Sequence, residues 1–338
     1  MTRKKIVGAV LAVVAAASML FSGCAADIDP STTVATIGET KLTYGEANFM
    51  LRMQQATYDT YYRSYYGADM WDKDMTGEGK TLGETVKTST LESIRDMIAA
   101  DVHKSEYNVD VTDEEMEKIK TTAQTFMNKN SSKVSSGFAI TREEDVVEIL
   151  RLYTIKAKVS KLIKDTADKN VSDEEAAQRS FSFVSFNIQG DIDENGESVE
   201  ITDEKKEEIR KTAAKLLEDA KAGGDFEELA KAAGQNVTKD NYGKDDDGTV
   251  EAVRQAADKL KEGEFADLIE ADGNLFVIRL DKEFDREATD EKKKTIVTQR
   301  EQAKLEEVTK PWTDALEIKP VEEVWSKVGF NRAMGFAQ

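Results

Sequence analysis

The chain has 338 residues, 39% of them hydrophobic, and a formal net charge of −19 at pH 7. A surface this acidic argues against nucleic acid as a partner and against docking of the protein body onto anionic lipid. The length suggests about two domains, and the single cysteine, Cys24, excludes an intramolecular disulfide.

The beginning of the chain has the pattern of an export signal. Basic residues at positions 3–5 precede an apolar run over residues 6–20, which is shorter than the roughly 20 residues of a membrane span. The following "FSGC", residues 21–24, resembles a bacterial lipobox with Phe where Leu is usual. We therefore predict a lipoprotein signal peptide over residues 1–23 and lipidation at Cys24. An ordinary secretory signal with an incidental cysteine is the alternative.

The next segments predict a tether and a helical domain. Residues 24–33 are small and polar, as in a flexible tether. Residues 34–178 predict a mostly helical domain that opens with a short strand pair around Gly38. Helix starts are marked by capping boxes, in which a Ser or Thr and a Glu three residues later cap each other. The predicted boxes are Thr43/Glu46, Thr112/Glu115, Thr141/Glu144 and Ser172/Glu175.

A stripe of methionine and aromatic residues follows the first box at near-helical spacing. One interpretation is a helix core, and the other is an adaptable apolar cradle for unfolded polypeptide segments, because Met and aromatic side chains repack around varied partners. The candidate binding residues are Phe49, Met50, Met53, Tyr58, Tyr61, Tyr62, Tyr65, Met70 and Trp71.

The pattern changes after residue 178. An alternating strand over residues 180–188 is followed by a helix from Asp203 to Ala222, two shorter helices and an apolar strand from Leu275 to Leu280. Strand, helices and strand over this length predict a small α/β domain over residues 179–286. Residues 287–338 then predict a long charged helix from Thr289 to about Leu316 and one or two further helical turns over residues 323–330.

Three stretches of this second domain carry a family resemblance: "FEELAKAAG" (226–234), "AADKLKEGEFADLI" (256–269) and "DGNLFVIRLD" (272–281). They resemble a parvulin-type, PpiC-like peptidyl-prolyl isomerase domain, and with the lipobox the whole chain resembles the PrsA/SurA-like extracytoplasmic foldases. The resemblance implies an α+β fold, in which a helical chaperone domain, completed by a C-terminal helix, carries an inserted parvulin-like domain. It also implies newly exported polypeptides as partners and membrane attachment through Cys24, and leaves a homodimer open.

The resemblance also implies a catalytic pocket, and this sequence departs from it. Phe183 and Leu275 stand where the family carries two histidines, Asn236 where it carries Cys or Asp, and Val250 and Val253 where apolar residues receive the proline ring. The pocket must lower an amide rotation barrier of about 18–20 kcal/mol by favouring the twisted form. Phe183 and Leu275 carry no polar side-chain groups.

The loss of these groups predicts little or no isomerase activity, because His103 is the single histidine of the chain. One alternative is an active isomerase with a histidine-free pocket, which an open polar cleft at these positions would favour. The other is a solute- or surface-binding lipoprotein, although the alternating strand–helix pattern of two-lobed binding proteins is missing.

The acidic loop over residues 191–200 offers one candidate metal site. "DIDENG", residues 191–196, matches the first half of a calcium-binding EF-hand loop, but Thr202 stands where the bidentate Glu is required. We interpret the stretch as a solvated turn and His103 as structural. The sequence predicts neither a metal nor a cofactor.

Overall fold

The computed structural model describes two compact units. Unit 1 falls within residues 1–167 and 301–338, and unit 2 is residues 168–300. The described residues are 19–20, 28–131, 141–192, 198–244, 248–330 and 335–336. The predicted lipobox with Cys24, most of the predicted signal peptide and the centre of the acidic loop lie outside them. No helix among the described residues has the length and apolar character needed to span a membrane.

The elements in chain order include 3₁₀ turns at Met70–Asp72 and Lys104–Tyr107. The helices and strands are β1 Met19–Leu20, β2 Thr33–Ile37, β3 Thr40–Thr43, α1 Tyr44–Tyr61, α2 Arg63–Tyr66, α3 Leu82–His103, α4 Asp113–Ser131, α5 Glu143–Lys164, α6 Asp173–Ala176, β4 Arg179–Asn187, β5 Gly190–Ile192, β6 Ser198–Glu200, α7 Asp203–Lys221, α8 Phe226–Ala232, β7 Thr238–Tyr242, α9 Glu251–Ala257, β8 Ile269–Ala271, β9 Asn274–Lys282, α10 Arg286–Asp314, β10 Ile318–Pro320, α11 Glu322–Trp325 and β11 Gly335–Phe336.

Unit 1 joins both ends of the chain in one core. Its antiparallel sheet has the order β10-β2-β3, so a C-terminal strand pairs directly with an N-terminal one. After that strand, Trp325, Val328 and Phe330 are buried among side chains of α1, α3, α4 and α5. A second short pair joins β1 to β11. Residues that are distant in sequence therefore supply parts of the same apolar interior.

Capping explains where several helices of unit 1 begin. The predicted boxes at Thr43 and Thr112 both form, with Glu46 and Glu115 accepting from the backbone of the capping Thr at 2.8 and 2.9 Å. A further box, Thr81 with Glu84, precedes α3 and was not predicted. At Ser172 half of the predicted box forms: its hydroxyl accepts from the Glu175 backbone at 3.1 Å and caps the four-residue helix α6, while the Glu175 carboxylate accepts from Arg300.

The box predicted at Thr141/Glu144 is wrong. Helix α5 is capped one residue later, where the backbone N–H of Arg142 donates to Asp145 at 2.8 Å. Thr141 is buried, and its hydroxyl accepts a hydrogen bond from the buried amide of Asn48 at 3.3 Å. A tertiary contact has therefore taken the side chain that local sequence assigned to the cap.

Unit 2 is built around a four-stranded antiparallel sheet of order β7-β4-β9-β8. Helices α7 and α8 cover one face, with Leu216, Leu217 and Phe226 in its core, and α9 covers the other with Val253. Strand β9 is buried on both faces, and its residues 275–278 form a continuous apolar run, whereas β4 interleaves its apolar residues with serines. The predicted α+β class, mostly helical with a small sheet domain, is confirmed.

Candidate functional site

The α9 face of the unit 2 sheet brings together three of the five predicted pocket residues. Phe183 packs in one apolar cluster with Val250 and Val253. Its ring centroid lies 5.6 Å from that of Phe181 and 6.1 Å from that of Phe276. Val253 is 3% exposed, whereas Phe183 is only half-buried. This face is a mostly closed aromatic and aliphatic surface.

Leu275 and Asn236 lie elsewhere. In the β4–β9 pairing Leu275 stands opposite Phe186, and Phe183 stands opposite Ile278. Because side chains alternate between the faces of a sheet, Leu275 points to the α7 face, away from Phe183. Asn236 is exposed in the loop between α8 and β7. The five predicted residues therefore do not line one cleft.

Phe276 is the β9 residue that shares a face with Phe183, and the sequence analysis missed it. The two-residue alternation of side chains along a strand could have identified it, because residues one position apart point to opposite faces of the sheet. The resemblance places the second histidine position at Leu275, after Gly273 and Asn274, and the β4–β9 register puts that position on the other face of the sheet.

Several polar groups on the α9 face are engaged with each other or with the backbone. The Tyr242 hydroxyl donates to Asp258 at 2.8 Å. Burial, and then the Asp258 carboxylate, raise the pKa of Tyr242 above its ordinary value. The Arg179 guanidinium donates to the carbonyls of Ala257 and Leu260 at 3.3 and 3.1 Å. This arrangement can hold an apolar ring, and the buried Nε–H of Arg179 on the same face makes no hydrogen bond.

The single histidine of the chain is not in unit 2. The His103 ring stacks on Trp312 at 4.2 Å within unit 1, and its Nδ1 lies 2.6 Å from a Glu106 carboxylate oxygen. These contacts give it a structural role at the end of α3.

A polar cleft of about 770 Å³ opens on the α7 side of the sheet, beside the edge strand β7. Arg279 lines it, donating to Asp281 at 2.8 Å and lying over the Phe226 and Phe265 rings at 5.7 and 5.9 Å. The buried Ser182 hydroxyl donates to the same Asp281. The sequence did contain a sign of this cleft: Ser182 and Arg279 are polar residues placed between core residues of strands β4 and β9.

The candidate binding residues of unit 1 divide into buried and exposed groups. Phe49, Met70 and Trp71 are at most 3% exposed and belong to the core. Three others are partly buried: Met50, Met53 and Tyr58. At the end of α1 and in α2 lies an exposed group, the tyrosine patch, with Tyr61 62%, Tyr62 47%, Tyr65 82% and Tyr66 49% exposed.

The tyrosine patch continues into the core as a row of rings. The Tyr66, Tyr62, Tyr58 and Trp71 rings follow one another with centroid distances of 6.4, 5.6 and 5.7 Å. Trp71 then stacks on Phe330 at 4.1 Å. The exposed rings are thus fixed by packing at their inner end.

No group of three or more His, Cys, Asp or Glu side chains that could hold a metal ion occurs within the described part of the chain. The centre of the EF-hand-like stretch lies outside it.

Comparison with known families identifies the second unit. Residues 192–294 match the family model of the PPIC-type PPIase domain. The match begins after β4, so it includes Asn236, Val250, Val253 and Leu275 but not Phe183. No curated protein matches the chain.

Solved structures that resemble the chain include foldase proteins. PrsA from Bacillus cereus is 18% identical over 85% of this chain and 92% of its own, with a TM-score of 0.31. PrsA from Lactococcus lactis is 16% identical over 87% and 97%, with a TM-score of 0.33. A SurA-like chaperone structure from Campylobacter jejuni is 10% identical over 86% and 99%, with a TM-score of 0.28. By its match over residues 192–294, the chain carries a PPIC-type PPIase domain.

Proposed function

We propose that the chain is a lipid-anchored, extracytoplasmic folding factor for exported polypeptides, with a PPIC-type domain that isomerises prolyl bonds weakly or not at all. The observation that carries the proposal is a PPIase domain in which the face under α9 is apolar and histidine-free. Such a face can hold a proline ring without stabilising the twisted amide.

The chemistry separates binding from catalysis here. Contacts that hold substrate and transition state equally well improve binding without speeding the reaction. The rings of Phe183 and Phe276 hold both states alike, and the Tyr242 hydroxyl is already donated to Asp258. Capture of X-Pro segments without much catalysis is therefore the behaviour that these side chains support.

The tyrosine patch supports the chaperone part of the proposal. Monomeric proteins rarely expose contiguous aromatic surface without a binding role. Tyr61, Tyr62 and Tyr65 offer apolar faces with hydroxyl rims, which suit varied unfolded segments better than one fixed ligand. Because Trp71 and Phe330 hold the inner end of the row, the patch is ordered before a client arrives.

The first experiment pairs two assays on the purified full chain: isomerisation of a proline tetrapeptide and aggregation of an unfolded client. We expect isomerisation close to the uncatalysed rate together with clear suppression of aggregation. Strong catalysis would contradict the weak-isomerase proposal and favour the histidine-free active enzyme. Two negative results would favour a solute- or surface-binding lipoprotein.

The tyrosine patch is tested by the triple change of Tyr61, Tyr62 and Tyr65 to Ser. Suppression of aggregation should fall by at least half, with little change in the unfolding midpoint. The matched control is Tyr153→Ser, since Tyr153 is 47% exposed in the same unit but lies outside the patch. Equal losses in both proteins would contradict a role of the patch.

Lipid anchoring is tested at Cys24 in bacterial cells that express the full chain. Labelled fatty acid should enter the protein, which should partition with membranes, and Cys24→Ser should abolish the label and release it. Labelling that survives the substitution would contradict the anchor.

A further inference from the structure

Unit 1 contains a second surface feature that the proposed function does not use: a groove of about 600 Å³ between helix α3 and the C-terminal segment. Trp71, Trp325 and Phe330 contribute its aromatic side, and Ile318 and Pro320 of strand β10 contribute an aliphatic one. The three aromatic residues are 3–8% exposed and mostly belong to the core, whereas Ile318 and Pro320 are half-buried. The parts of these side chains that remain exposed offer a ligand dispersion contacts.

The rim of this groove is acidic. Four carboxylates line it, from Asp72, Glu84, Glu92 and Glu322, against one ammonium, from Lys87. Glu84 caps helix α3 through the Thr81 backbone. Within the described residues, no salt bridge joins Asp72, Glu92 or Glu322 to a basic side chain. These three carboxylates are therefore not held in salt bridges, although Glu322 also interacts electrostatically with Lys87.

The lysine at the rim does not neutralise these charges by pairing. The Lys87 ammonium donates to the carbonyls of Trp325 and Val328 at 2.6 and 2.9 Å and lies 5.1 Å from the centroid of the Trp325 ring. These bonds connect Lys87 of α3 to the backbone of the C-terminal segment. A bound cation would meet the rim carboxylates beside apolar side chains, where charge attraction is screened less than at an open surface.

Strand β10 indicates how a ligand would be held. It is an edge strand, but it has three residues and ends in Pro320, which lacks a backbone N–H. Proline on an edge opposes the addition of another strand. Recognition at this groove must therefore come from side chains entering it.

Resting on the proposed chaperone function, we propose that this groove binds polypeptide segments in which lysine or arginine alternates with aromatic or aliphatic residues. The apolar side chains enter between Trp325 and Ile318, and the cations reach Glu92 and Glu322 at the rim. The groove would thus select the basic, apolar segments of a client, whereas the tyrosine patch carries no such charge preference.

The test uses a dye-labelled, proline-free 12-residue peptide that alternates Lys and Phe with Gly and Ser, so that the PPIase domain is not addressed. Binding to the full chain is followed by fluorescence anisotropy. We expect at least tenfold weaker binding when every Lys is Glu, and also when every Phe is Ser. Affinity should fall as salt rises from 50 to 300 mM, since rim charges are screened. Equal affinity for the Lys and Glu peptides would overturn the proposal.

Variants locate the site. The double change Glu92→Gln/Glu322→Gln should weaken the Lys–Phe peptide about threefold to tenfold, as expected for two exposed charge contacts. The control Glu39→Gln/Glu306→Gln removes the same charge at exposed positions outside the groove and should change nothing. Equal effects of the two doubles would also overturn the proposal. If the unmodified chain binds the Lys–Phe peptide in this groove but does not suppress aggregation of an unfolded client, the chaperone function is rejected and the groove assignment stands.

Discussion

At the scale of single residues, Arg52 is a buried charged group that joins two parts of unit 1. It is 8% exposed and donates to Asn48 at 3.1 Å, to Gln55 at 2.6 Å and to the carbonyl of Gly329 at 2.8 Å. The last bond joins helix α1 to the C-terminal segment. Burial lowers the pKa of Arg52, an effect opposed by Tyr44 and Asp59 nearby.

We predict that Arg52→Met destabilises unit 1 by about 3 kcal/mol, because buried acceptors are left without their donor. Urea unfolding followed by tryptophan fluorescence reports this unit, since Trp71, Trp312 and Trp325 all belong to it. The control is Arg63→Met, whose side chain is 31% exposed and pairs with Asp59 at 3.3 Å. It should cost less than about 1 kcal/mol, and equal losses would contradict the prediction.

Glu115 gives a residue-scale prediction about pH. Burial would raise its pKa, but hydrogen bonds from Lys158 at 2.8 Å and from the Thr112 backbone outweigh burial, so the pKa lies below the ordinary value of 4.5. A carboxyl with a lowered folded pKa stabilises the protein above its unfolded value, and that stabilisation is lost as the pH falls through the folded value.

Glu115→Gln should therefore cost about 1–2 kcal/mol of unfolding free energy at pH 7, and the difference from the unmodified chain should shrink as the pH falls through the lowered pKa of folded Glu115. The measurement is urea unfolding at several pH values, again by tryptophan fluorescence. Glu117→Gln is the control, because the Glu117 side chain is 76% exposed and lies 3.6 Å from Lys120. A difference that does not shrink as the pH is lowered would contradict the assignment.

At the scale of elements, the C-terminal segment from β10 to Phe330 is a structural part of unit 1. Phe330 is 8% exposed and stacks on Trp71. We predict that Phe330→Ala destabilises unit 1 by about 3–5 kcal/mol through lost burial and a new cavity. The same truncation at Tyr65, which is 82% exposed, should stay within about 0.5 kcal/mol. Thermal unfolding of both variants decides between a core element and a loosely attached tail.

The long helices were predictable because the helical spacing of apolar residues and the capping boxes indicate the same helices. The Thr43 and Thr112 boxes place α1 and α4 correctly, and α10 lies within three residues of the predicted start. Strands β7 and β10 were missed: "TKDNY" and "IKP" have no apolar alternation, and their strand form depends on pairing with β4 and β2. Tertiary pairing decides such segments.

The candidate site was predictable only where local pattern determines position. Phe183, Val250 and Val253 meet because strand β4 and helix α9 fix their faces. Leu275 was placed by analogy with a motif, and the register of β9 puts it on the opposite face. The polar cleft around Arg279 depends on the pairing of β4 with β9 and on the end of α7, so the polar positions within the two strands are not enough to locate it.

At the scale of the whole molecule, the negative charge is concentrated in unit 2. Residues 168–300 hold 35 Asp and Glu against 21 Lys and Arg, a net charge of −14 out of −19. Repulsion between copies keeps such a protein dispersed at neutral pH. We predict that light scattering rises to a maximum near pH 4.7, the isoelectric point of the sequence. Scattering that stays flat between pH 4 and 7 would contradict this.

Because unit 1 is made of two segments that are far apart in the sequence, it cannot be completed until the end of the chain has been synthesised. Helices α1 to α5 are complete by residue 164, but β10 and Phe330, which close their core, come after residue 317. At 5–20 residues per second, ribosomes need roughly 8–30 s for the intervening stretch. Unit 2 can fold in that interval, while the helices of unit 1 keep an apolar side open. During its own emergence the protein is therefore a polypeptide of the kind that we propose it protects.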